Sequence, residues 1–286
     1  MNTTVAVPAW IDGPRRWCGG LIASLGGGAA VLLVVLTCLA FSPDPAPAPD
    51  DGFCTQAVSD RQIARATVRL GITGTPDGVA TTLASVVPGR RGCVGSAIDA
   101  LFQASVTDRE WFMPFYLLTF VAVAAWLAAT AAGVPVRRRA PVLAASVAIV
   151  LLAAMLFHHD RQENDALDGV LRGEAAQLAD AHHPGASPEA VRALRVVSVA
   201  KWRLVAALLA AMGLAFSLIG GGWRGCAVLL FVASLAIGWG SSRDIASVDL
   251  AVRAIAVGFV LMFCTLVLFA VLWFRERRAR RRGPTL

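Results

Sequence analysis

Across 286 residues the chain is 57% hydrophobic and 16% charged, with a mean hydropathy of +0.65. That balance excludes an ordinary soluble domain and calls for membrane spans. The formal net charge of +7 sits largely in arginines beside apolar runs, which marks topology near acidic lipid and sets nucleic acid aside as a partner.

A helix needs about 20 apolar residues to cross roughly 30 Å of hydrocarbon. Six windows qualify: 17–41, 112–133, 141–158, 203–221, 224–240 and 253–274. The fold class expected is therefore an all-α polytopic transmembrane bundle of about six spans, with no barrel and no internal repeat. The expected organisation is a cytoplasmic N-terminus (1–16), a transmembrane anchor (17–41), an extracytoplasmic helical loop (42–111), a transmembrane core (112–221), a transmembrane hairpin (222–274) and a basic cytoplasmic tail (275–286). Within the core, three spans carry a second outer loop at 159–202.

The first window follows Arg15-Arg16 and precedes a proline-rich stretch, as a cleaved signal peptide would. Its apolar run is longer than the usual 7 to 15 residues, so an uncleaved anchor is expected. Thr37 before Cys38 is larger than the small residue a lipoprotein site carries there. Beyond the anchor, SPDPAPAPDDG (42–52) reads as a stiff polyproline-type linker. SDRQIARATVRLG then reads as a short surface helix capped by Ser59 or Asp60 and stopped by Gly71. VGSAIDALFQASVTDREW forms another helix that feeds into the second span. The third span runs on past the membrane and breaks at HHPGASPEA. The chain restarts with Ser187 as N-cap, Pro188 at the first helical position and Glu189 in the first turn.

Charge sets the orientation. With both termini inside, the inner segments hold 12 arginines against Asp12 and Glu276, a net of +10. The outer segments hold 14 basic and 17 acidic residues, a net of −3. This is the positive-inside asymmetry, and it predicts an N-in/C-in protein of the plasma membrane. The same topology sorts the cysteines. Cys54 and Cys93 share the outer loop and are expected to form a disulfide, whereas Cys18, Cys38, Cys226 and Cys264 lie in or beside spans and act as small apolar fillers.

The densest chemistry follows the third span, in FHHDRQENDAL. On a continuing helix Asp160, Glu163, Asn164 and Leu167 share one face. The fourth span opens with Ser198, Lys201, Trp202 and Val205 on one stripe. The third span runs outward and the fourth inward, so the two sets meet at the outer boundary. The abundance of Ala, Arg, Gly and Pro points to a coding bias that depletes Lys, Asn and Tyr. Lys201 and Tyr116 are nevertheless the only residues of their kinds, and Asn164 has only Asn2 for company. A lysine kept among so many arginines is a compact, strongly hydrated donor that no arginine replaces.

WFMPFYLLTF, DRQENDAL and AKWRLVAALLAAMGL together resemble a loosely defined group of uncharacterised bacterial four-helix integral membrane proteins. That group carries Pro-x-Tyr, Asp-x-x-Glu-Asn-x-x-Leu and Lys-Trp motifs, which here fall within about 105–221. The resemblance implies a polar cluster of Tyr116, Asp160, Glu163, Asn164, Lys201 and Trp202, and speaks to architecture rather than activity. The group's pattern has an aspartate seven residues before the tyrosine. Arg109 stands there in this chain, with Asp108 one residue earlier, so Asp108 falls outside the expected set.

Three functional readings stay open. In the first, the cluster fixes helix register in a structural or partner-binding membrane component. In the second it serves a small proton- or ion-coupled transporter, since carboxylates paired with lysine are the parts of a relay. In the third it belongs to a metal-dependent membrane enzyme, with His159 and Glu163 at helical i, i+4 spacing and His182 and His183 nearby as candidate ligands. No H-E-x-x-H, Walker or dinucleotide motif is present, no catalytic residue stands out, and no cofactor is expected. The partners expected are the lipid bilayer and another membrane protein.

Overall fold

The computed structural model describes residues 15–24, 60–86, 93–180, 182–242 and 248–281. Among these every regular element is helical. Residues 15–24 form α1, followed by α2 (Asp60–Thr73), α3 (Pro76–Val86) and α4 (Val94–Thr107). A π-helical turn, Asp108–Phe112, joins α4 without a break to α5 (Met113–Ala131). Then come α6 (Val136–Ala179), α7 (Pro188–Ile219), a 3₁₀ turn, α8 (Arg224–Ser241) and α9 (Val248–Arg281).

Five described helical segments are long and apolar enough to cross a membrane: Val94–Ala131, Val136–Ala179, Pro188–Ile219, Gly221–Ser241 and Leu250–Ala279. The expected anchor at 17–41 lies mostly outside the described residues, as does Cys54. Cys93, its expected disulfide partner, is buried at the start of α4.

Length decides the architecture. The 44 residues of α6 reach about 66 Å at 1.5 Å per residue, twice what the bilayer needs. The C-terminal half of α6 and the first turns of α7 therefore exceed what one crossing uses; they are termed outer after the side that the charge count predicts for them. They reach into a second, smaller core of Leu70, Leu83, Ile98, Leu101, Leu171 and Leu194, contributed by α2, α3, α4, α6 and α7. The larger core lies within the spans, where Trp126 meets the rings of Trp223 and Phe269 at 4.8 and 4.9 Å between centroids. Leu156 belongs to the membrane core and Leu167 to the outer one. The polar run of α6 lies between them.

Local chemistry shapes the ends. Ser187 caps α7 by accepting from the Ala190 amide at 3.1 Å, with Pro188 in the first turn, as the sequence predicts. Gly220 closes α7 at φ +79°, a conformation that favours glycine. The arginines that open α6 have structural work besides charge: Arg138 donates to Leu218 O at 3.3 Å, filling a carbonyl that the end of α7 leaves open, and Arg139 Nε donates to Val134 O of the α5–α6 connection at 3.1 Å.

Gly71 is not the stop the sequence reading assigned to it. The helix runs two residues further, and the break comes at Gly74, with φ +67°. Gly71 is buried inside α2 for a steric reason that only the site explains.

Candidate functional site

At the waist between the two cores, α6 turns Asp160, Glu163 and Asn164 inward, exposed by 2%, 6% and 5%. A helix repeats every 3.6 residues, so positions i, i+3 and i+4 face one way. The same rule brings Ser198, Lys201 and Trp202 of α7 opposite them.

The two sets touch. The Lys201 ammonium lies 2.5 Å from Asp160 Oδ1 and 2.5 Å from Glu163 Oε2. Tyr116, on α5, donates its hydroxyl proton to Asp160 Oδ2 at 2.7 Å. Ser198 donates to Glu163 Oε1. Lys201 also sits 5.1 Å from the centroid of the Trp202 ring, which packs edge-on against Phe259 of α9. All six residues singled out by the sequence are thus brought to one locus, Asn164 through its own bonds to α4 and the π-turn.

Those bonds include residues outside the expected set. Asn164 Nδ2 donates to Asp108 Oδ2 at 2.8 Å, so Asp108 is a member of the cluster after all. Arg109, its neighbour, ion-pairs with Asp168 and reaches Asp165 at 3.5 Å. The Arg109 guanidinium also donates to the backbone carbonyl of Asn164 at 3.3 Å. Ser105 donates to Asp168 Oδ1 at 3.0 Å. A rim of acid and arginine therefore surrounds the closed inner cluster on the outer side.

The lid is backbone. At Gly71 of α2, an added methyl would collide with the Ser198 side chain and come within 3.1 Å of Glu163 Oε1. Only a residue without a side chain lets α2 lie across the Glu163–Ser198 pair. Its neighbours Leu70 and Ile72 join the outer and membrane cores respectively, so α2 spans both.

The candidate metal set is not assembled. Glu163 is engaged by Lys201 and Ser198, while His182 and His183 are exposed in the α6–α7 connection. His183 Nδ1 accepts from the Gly185 amide at 3.3 Å. Among the described residues no three His, Cys, Asp or Glu side chains converge as metal ligands would.

No family model matches the chain, and no curated protein or solved structure matches it either. The functional reading therefore rests on the geometry of the waist.

Proposed function

We propose that the chain is a structural or partner-binding component of the plasma membrane, in which the polar cluster clamps a helical outer domain onto a six-span, N-in/C-in bundle. One observation carries this: Lys201 contacts Asp160 and Glu163 directly, inside a cluster closed by α2. Ionic groups near a bilayer require partners, and here the partners come from different helices and therefore set their register. The resemblance to the four-helix membrane group agrees, since its motifs fall on these residues.

That both ends lie on one side has support besides charge. Arg15 pairs with Glu276 at 3.5 Å, and Gly19 lies against Trp273, so α1 begins beside the C-terminal end of α9. Residue 60, by contrast, opens the outer domain. A single crossing between those two sides, the anchor expected at 17–41, would fit this arrangement.

The clamp is tested by thermal stability in detergent. Lys201→Met leaves two carboxylates facing each other, with an expected loss of about 1 to 3 kcal/mol. Adding Glu163→Gln should return part of that loss, and adding Asp160→Asn should return more, because each step removes an unpaired charge. Strictly additive losses would reject the clamp.

Proton- or ion-coupled transport is the second reading, favoured by the charge count. Asp160 and Glu163 share one ammonium, and Asp108 joins them through Asn164, an excess of acid in one place. Liposomes containing the protein and a pH-sensitive dye would test it. Proton flux abolished by Asp160→Asn, in a variant that still folds, would put transport ahead of the clamp.

A further inference from the structure

In a regular α-helix successive side chains turn by ~100°, so two neighbours cannot share one face. Seven residues before Tyr116 stands Arg109, which in such a helix would lie ~20° from it. Asp108, eight residues before, would lie ~80° away. Yet both reach α6. Asp108 accepts from Asn164 at 2.8 Å, and Arg109 pairs with Asp165 and Asp168 on the next turn.

The burial pattern shows how. Ala97, Leu101, Ser105 and Met113 are all buried, and Arg109 completes a strict spacing of four. A regular helix would carry such a series off its face by ~40° at every step. A π-turn holds more residues per turn, and the one at Asp108–Phe112 takes up one additional residue, offsetting ~100° of the ~160° that would accumulate from Ala97 to Met113. Glu110, Trp111 and Phe112 consequently face outward together.

We propose that the π-turn Asp108–Phe112 is a register adapter. It admits one additional residue to the α4–α5 helix, so that two neighbours of opposite sign dock on α6 at once, Asp108 in the closed cluster and Arg109 on its acidic rim. It also lets one unbroken helix satisfy two cores, presenting Leu101 to the outer one and Phe120 to that of the membrane. The adapter goes beyond the clamp and does not depend on it.

The test uses the full chain in detergent, alongside a variant lacking Glu110. Shortening the turn brings Asp108 to seven residues before Tyr116 and leaves Arg109 at six, ~120° off the face. Double-mutant cycles on melting temperature are run in both chains, with Asp108→Ala against Asn164→Ala and Arg109→Ala against Asp168→Ala. Both pairs should be coupled at full length. In the shortened chain the first coupling should survive and the second should vanish. Persistence of the Arg109 coupling there, or loss of the Asp108 coupling, overturns the adapter. If the shortened chain does not fold, a cysteine scan of 105–113 at full length decides, in a background without reactive native thiols. Slow labelling at 105, 108, 109 and 113 with fast labelling at 110 and 111 supports the adapter, and fast labelling at 108 refutes it. The Lys201–Glu163 cycle is read separately, so failure of the clamp is distinguishable from failure of the adapter.

Discussion

At the scale of single residues, the waist is organised by what each side chain can donate or accept. Three carboxylates each receive a neutral donor: Asp160 from Tyr116, Glu163 from Ser198, Asp108 from Asn164. Lys201 then bridges two of them, which an arginine's planar fork would not do in the same space. The residue most sensitive to a small change carries no chemistry at all. Gly71→Ala improves helix propensity by nearly 1 kcal/mol, yet its methyl meets Ser198 and Glu163. The steric term should win, since overpacking a closed site costs typically 1 to 3 kcal/mol. A lower melting temperature for Gly71→Ala, relieved when Ser198→Ala is added, is the expected outcome. A more stable Gly71→Ala protein would show that α2 does not lie on the pair.

At the scale of elements, α6 and α7 do two jobs because they are too long for one. Their inner parts cross the membrane and their outer parts form the centre of the outer domain, so no flexible joint separates the two cores. The turns that end these helices follow local rules, as at Ser187 and Gly220. The outer domain is small, and small cores are commonly stapled. The sequence expectation of a Cys54–Cys93 disulfide is therefore worth testing directly. Cys54→Ser should free Cys93 to react with an impermeant thiol reagent in intact cells, once the buried thiol is exposed by mild denaturant. Equal labelling of the unmutated chain would exclude the bond.

At the scale of the whole molecule, contact geometry puts the two described ends on one side, and charge asymmetry is what predicts that this side is the cytoplasm. The basic end of α9 lies beside α1, and the outer domain gathers at the opposite end of the bundle. A reporter fused after Leu286 should read cytoplasm, and one inserted near Pro184, in the exposed α6–α7 connection, should read the outside. An external C-terminus would overturn the N-in/C-in arrangement.

Much of this was legible without coordinates, because membrane solvation and helix periodicity act on nearest neighbours in the chain. Five of the six apolar windows fall on described helices long and apolar enough to cross a membrane, where hydrocarbon leaves the backbone no partner but itself. Asp160, Glu163 and Asn164 had to share a face, and an antiparallel neighbour had to bring Lys201 to their level. The tertiary structure alone decided the rest. Asp108 stands one residue away from the position of the resembled group's aspartate and falls outside the expected set on that ground, whereas the π-turn brings it to Asn164. The turn's trace in the sequence is the four-residue spacing from Ala97 to Met113. Gly71 looked like a helix stop because glycine usually ends helices. It is instead a point of contact with α7, more than a hundred residues away in the chain. Periodicity is local and survives in the sequence, whereas close approach between distant segments is fixed only when both cores have packed.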